Sequence, residues 1–79
     1  MARVLVPVAN GSEEMETVIL VDVLRRAGWE VVLASIQGEG PITGARNTKL
    51  IPDACWETLD LLSFDLLALP GGLGGTEAL

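Results

Sequence analysis

Residues 3 to 9 form a near-continuous apolar run, Val4-Leu5-Val6-Pro7-Val8-Ala9. Such a run, without polar alternation, predicts a strand covered on both faces. Beyond Gly11 the pattern takes the period of a helix. At about 100° per residue, Ile19, Leu20, Val23, Leu24 and Ala27 gather on one side, with Glu16 near their centre. Glu14, Asp22, Arg25 and Arg26 gather on the other side. Ser12 is the expected N-cap, with Glu13 and Glu14 favourably placed against the helix dipole. Gly28, following Arg25-Arg26, is the expected stop. Glu30 to Ile36 (Glu-Val-Val-Leu-Ala-Ser-Ile) then predicts a second strand. Strand, helix and strand in this order make a βαβ unit with a parallel pair.

Gly38-Glu39-Gly40-Pro41 is a turn signal. Ile42-Thr43 and Thr48-Lys49-Leu50-Ile51 are short and half polar, as edge strands or an excursion would be. Pro52-Asp53 is expected to open a second, shorter helix carrying Cys55, Trp56, Leu59 and Leu62. Asp65-Leu66-Leu67-Ala68-Leu69 predicts a third core strand, followed by Pro70-Gly71-Gly72-Leu73-Gly74-Gly75-Thr76. Thr76 could cap a further helix. A doubly wound sheet has about five strands by analogy between folds, and the pattern shows three. Residues 1–79 are therefore expected to be the N-terminal part of a single larger domain.

Composition narrows the class. Nearly half of the 79 residues are apolar, drawn from Val, Leu, Ile and Ala rather than aromatics. This favours parallel strands covered by helices and argues against disorder. The net charge is −6, and the five basic residues form no patch. Nucleic acids and anionic membranes are thus disfavoured partners. No apolar run approaches the ~20 residues of a membrane span. A single Cys and no signal-peptide pattern point to a cytoplasmic protein.

Candidate chemistry belongs at the carboxyl ends of the strands. Two loops qualify there, Ala9 to Ser12 and Pro70 to Thr76. Glu16 lies one turn into the helix after the first. A carboxylate on an apolar face is costly unless it is protonated, hydrogen-bonded or functional. The alternative is an acid that escapes to solvent or caps backbone amides near the helix start. The glycine loop could expose N–H groups to an oxyanion, although turn material is the simpler reading. Gly72-Leu73-Gly74 lacks the third glycine of a dinucleotide loop, and no P-loop lysine follows. Cys55, with no His in the chain, reads as a small core hydrophobe. Arg46 could bind an anion, but a solvated loop arginine has the same pattern. A metal site is not expected without His or clustered Cys.

Gly11-Ser12-Glu13-Glu14-Met15-Glu16-Thr17-Val18 and Val21-Asp22-Val23-Leu24-Arg25-Arg26-Ala27-Gly28 resemble the opening of the ThiJ/PfpI superfamily, in its protein-deglycase branch. Pro52-Asp53-Ala54 and Leu69-Pro70-Gly71-Gly72 follow in the order expected of that branch. The resemblance covers essentially the whole chain. It implies a flavodoxin-like (class I glutamine amidotransferase-like) α/β sandwich with a mainly parallel sheet, usually as a homodimer. It also implies a nucleophilic cysteine on a strand-to-helix elbow, beside a protonated glutamic acid that matches Glu16. Gly71 and Gly72 match the backbone groups lining the oxyanion pocket. Arg46 matches an arginine near the site entrance or dimer contact. Neither metal nor organic cofactor is required by the chemistry so implied.

The family nucleophile lies beyond Leu79, and Cys55 does not match it. The resemblance therefore implies a companion C-terminal segment or chain that supplies the thiol. The leading expectation is a cysteine-dependent, cofactor-free glyoxalase or protein deglycase acting on methylglyoxal or early glycation adducts. The alternatives are a redox-sensing chaperone and a PfpI-like peptidase or amidotransferase-like domain.

Overall fold

The computed structural model describes residues 2–70. Strand β1 (Arg3–Val8) is followed by helix α1 (Glu14–Arg26) and strand β2 (Glu30–Ser35). β1 and β2 run parallel in register from Arg3 opposite Glu30 to Val8 opposite Ser35. The remaining strands are two residues each: β3 (Ile42–Thr43), β4 (Lys49–Leu50), β5 (Ala54–Cys55) and β6 (Leu66–Leu67). The main sheet has the order β5-β2-β1-β6 and is parallel throughout, while β3 and β4 form a separate antiparallel hairpin.

This order fixes where a site can lie. The chain builds outward from β1 through β2 to β5, then returns to β6 on the other side of β1. In open α/β sheets, ligands bind outside the carboxyl ends of the strands where the order reverses. Here that crevice is bounded by the segments that follow β1 and β6.

Local chemistry explains α1. Its N-cap is Glu13, whose carboxylate accepts the Met15 amide. Ser12 takes a different role from the one expected. It is buried, and its hydroxyl accepts the Ala9 N–H, bracing the turn at Gly11 instead of capping the helix. The end is as expected. Gly28 adopts a φ of 89°, its N–H donates to the Arg25 carbonyl and the Trp29 N–H to the Leu24 carbonyl. This pair of bonds closes a helix on a left-handed glycine.

Thr17, Leu20, Val21 and Leu24 face the sheet, and Val21 joins Val4, Val6 and Val31 in the core. Ile19 and Val23 stay more than half exposed, so the buried face is rotated from the one the periodicity suggests. The apolar arc of α1 is wider than its contact with β1 and β2 can cover, and the flank bearing Ile19, Val23 and Glu16 remains open.

The expected second helix at Pro52 is absent from the described residues. The Asp53 N–H donates to the Leu33 carbonyl, and its carboxylate accepts the Leu33 N–H and the Arg25 guanidinium. These bonds draw the chain alongside β2 as β5. Two separate 3₁₀ turns follow, Trp56–Thr58 and Leu61–Ser63. Between them, Leu59 and Asp60 are extended, and the Asp60 carboxylate accepts the Leu62 N–H. That local bond competes with helix continuation. The third core strand is present as β6, but Leu66 and Leu67 are about half exposed.

Candidate functional site

Three acids open α1, and the structure gives each a separate place. Glu13 caps the helix. Glu14 turns toward the β3–β4 hairpin, where its carboxylate accepts the backbone N–H of Arg46 at 2.9 Å and of Thr48 at 3.0 Å. Glu16 is exposed on the open apolar flank, with no hydrogen bond or ion pair among the described residues. It does not point into this chain's core. Its place is the first turn of the helix that leaves the carboxyl end of β1, beside the crevice set by the strand order.

The hairpin is strapped to the β1–α1 loop. The Gly11 N–H donates to the Thr43 carbonyl, the Thr43 N–H to the Asn10 side-chain oxygen, and the Ala45 N–H to the Ser12 carbonyl. Within the turn, the Gly44 N–H donates to Thr48 and the Asn47 N–H to Gly44, with Asn47 left-handed at a φ of 67°. Gly44 is buried against Glu14, and a Cβ there would overlap the Glu14 carboxyl group. Desolvation beside the turn raises the Glu14 carboxyl. The amides of Thr48, Glu14 itself and Arg46, with the Thr48 side chain, outweigh it and hold the group below the ordinary carboxylate range.

Arg46 sits at the tip of this turn, exposed. Arg3, Arg25 and Arg26 are paired with Glu30, Asp53 and Asp22, whereas the Arg46 guanidinium has no acidic partner among the described residues. At about 100° per residue, Glu14 and Glu16 are about 200° apart around α1. Arg46 therefore approaches α1 on the flank opposite Glu16, and a single chain does not bring the two to one face. Gly71 and Gly72 lie outside the described residues.

Cys55 is half-buried at the end of β5, in a hollow of about 370 Å³ shared with Ser35, Gly38 and Asp53. A second groove, of about 360 Å³, runs between α1 and β4, past Thr17, Val21, Arg25 and Leu50. Neither includes Glu16 or Arg46. Among the described residues, no three His, Cys, Asp or Glu side chains converge as a metal site would require, and no helix is long and apolar enough to cross a membrane.

Glu14, Asn10 and Gly44 are the residues that sequence reasoning missed. Glu14 lies on the polar side of α1 in the periodicity, where an acid is ordinarily solvated. Its partners are 32 and 34 positions away, and no local pattern announces them.

Residues 2–79 match the DJ-1/PfpI family. The chain is 46% identical to Protein DJ-1 homolog B of Arabidopsis thaliana over 96% of its length, covering 17% of that protein. It is 45% identical to the Parkinson disease protein 7 homolog of Danio rerio over 98% of its length, covering 41% of that protein. A more distant relative, at 33% identity, is the glutathione-independent glyoxalase DJR-1.2 of Caenorhabditis elegans, with 92% of this chain and 38% of that one covered. The crystal structure of Drosophila melanogaster DJ-1beta superposes with a TM-score of 0.93 at 42% identity, over 98% of this chain and 41% of that one. The chain thus spans less than half the length of these relatives. With its parallel sheet, reversed strand order and matched length, it has the flavodoxin-like α/β fold and belongs to the DJ-1/PfpI family.

Proposed function

We propose that this chain supplies the acid of a cofactor-free glyoxalase or deglycase site in a DJ-1/PfpI-family protein. The nucleophilic thiol would come from the part of the domain that its relatives carry beyond it. The observation that carries this reading is the placement of Glu16. Of the three acids opening α1, Glu13 and Glu14 are committed to backbone amides, while Glu16 stays uncommitted beside the carboxyl end of β1. The glyoxalase name of the nematode relative supports the same reading.

In the proposed reaction, a cysteine thiolate adds to the aldehyde carbon of a 1,2-dicarbonyl compound, and Glu16 gives its proton to the resulting alkoxide, forming a hemithioacetal and leaving Glu16 as a carboxylate. Glu16 removes the proton from that carbon and returns it to the neighbouring one, converting the adduct to a thioester of the 2-hydroxy acid. Water then cleaves the thioester, releasing lactate from methylglyoxal and restoring the thiol. Backbone N–H groups of Gly71 and Gly72 would bind the developing oxyanion. Early glycation adducts of proteins present a related carbonyl and form the deglycase extension of the same proposal.

The apolar flank of α1 has a place in this reading. Met15, Val18, Ile19 and Val23 are each more than half exposed. Such a stripe suits coverage by the remaining domain and by a second copy in a homodimer. Lactate formation from methylglyoxal by the intact, folded protein tests the proposal. No turnover would leave a non-enzymatic role, such as a redox-sensing chaperone, on this fold.

A further inference from the structure

We propose that Glu14 is a positioning residue, whose carboxylate clamps the β3–β4 turn and so sets the Arg46 guanidinium, on the flank of α1 away from Glu16, for an anionic or carbonyl oxygen of substrate bound at the Glu16 site of a second copy in the homodimer. The role of Arg46 as a substrate contact rests on the function proposed above; the clamp does not. The clamp is a built feature. One carboxylate takes the two N–H groups, Arg46 and Thr48, that flank the left-handed Asn47. Gly44 leaves the space that the carboxyl group fills. Further bonds from Gly11, Thr43 and Ala45 hold the hairpin to the β1–α1 loop, so the turn moves with the first turn of α1.

What is held in place is a cation without an acidic partner among the described residues, in a chain of net charge −6 whose other arginines are all paired. A solvated loop arginine needs no such seat. A guanidinium offers a planar fork of donors suited to carboxylate and paired oxygens. Its direction is fixed only if the backbone beneath it is fixed. Glu14 faces only backbone amides and the Thr48 side chain there, so it can act on Arg46 through the main chain without neutralising it.

The test compares Glu14→Gln, Arg46→Ala and the double variant in the intact protein, by amide hydrogen exchange and by methylglyoxal kinetics. In Glu14→Gln, exchange at the Arg46 and Thr48 amides should rise about tenfold or more, while the β2 amides stay protected as a control for folding. KM should rise about tenfold toward that of Arg46→Ala with kcat little changed, and the double variant should be no worse than Arg46→Ala. Unchanged exchange at Arg46 and Thr48 overturns the clamp. Additive effects of the two substitutions, or an Arg46→Ala variant with wild-type KM, overturn the positioning role. A wild type that does not turn over methylglyoxal removes the function proposed above, and the exchange measurement then decides the clamp alone.

Discussion

The Glu14 carboxylate accepts the Arg46 amide at 2.9 Å, joining the first turn of α1 to a hairpin tip 32 residues later. This contact joins two sequence-local elements, a βαβ unit and a hairpin, into one unit. It also separates the roles of Glu14 and Glu16, two acids only two positions apart.

The clamp predicts a pH dependence with a definite sign. The Glu14 carboxyl lies below the ordinary carboxylate range when folded, so the folded state favours its ionised form. Its contribution is fully present above the unfolded value and is lost as pH falls through the lowered folded value. In urea titrations across the acid range, the stability difference between wild type and Glu14→Gln should be constant at neutral pH and shrink on acidification. A difference that grows on acidification contradicts the clamp.

Gly44→Ala tests the same seat from the other side. A methyl group there overlaps the Glu14 carboxyl, and that flexible side chain must swing away. The stability cost should stay below about 1 kcal/mol. Exchange at the Arg46 and Thr48 amides should nevertheless rise as it does in Glu14→Gln. Hydrogen exchange with mass spectrometry, read over residues 44–48, checks this.

Thr17 carries a fully buried hydroxyl with no hydrogen-bond partner among the described residues. An unsatisfied buried polar group costs about 1–3 kcal/mol. Thr17→Val keeps the branched shape and removes that cost, so it should raise the unfolding free energy by about 1 kcal/mol. A loss of stability on chemical denaturation would show that the hydroxyl is satisfied in solution.

The core makes a sharper contrast. Val6 is fully buried beside Val4, Val21 and Val31. Val6→Ala should cost about 2–3 kcal/mol, from lost transfer energy plus a cavity. Leu62 is 95% exposed, and Leu62→Ala should stay within about 0.5 kcal/mol of wild type. The two denaturation midpoints together check where this core lies.

Much of this architecture was legible in the sequence because it is local. The apolar run of β1, the glycine stop at Gly28 and the strand at Glu30 each follow from neighbouring residues. The misreadings share one cause. Ser12, Asp53 and Glu14 are polar residues whose partners lie elsewhere in the chain or on unexpected backbone groups. Asp53 has the pattern of a helix opener, yet it bonds Leu33 and Arg25 and leads into β5. The apolar arc of α1 is wide enough for two contacts, and the sequence does not say which one the sheet takes. Glu16 stood out for its apolar neighbours Ile19 and Val23, and in the structure it shares their open flank instead of the sheet-facing core.

The central claim is that Glu16 moves the proton, and kcat for lactate formation from methylglyoxal by Glu16→Gln in the intact protein tests it most directly. Because Glu16 is exposed and unpaired among the described residues, the substitution should leave folding and the β2 amides unchanged. The expected result is a fall in kcat of about 10²–10⁴-fold, the usual contribution of a positioned acid–base group. A folded Glu16→Gln variant that forms lactate at the wild-type rate would contradict it.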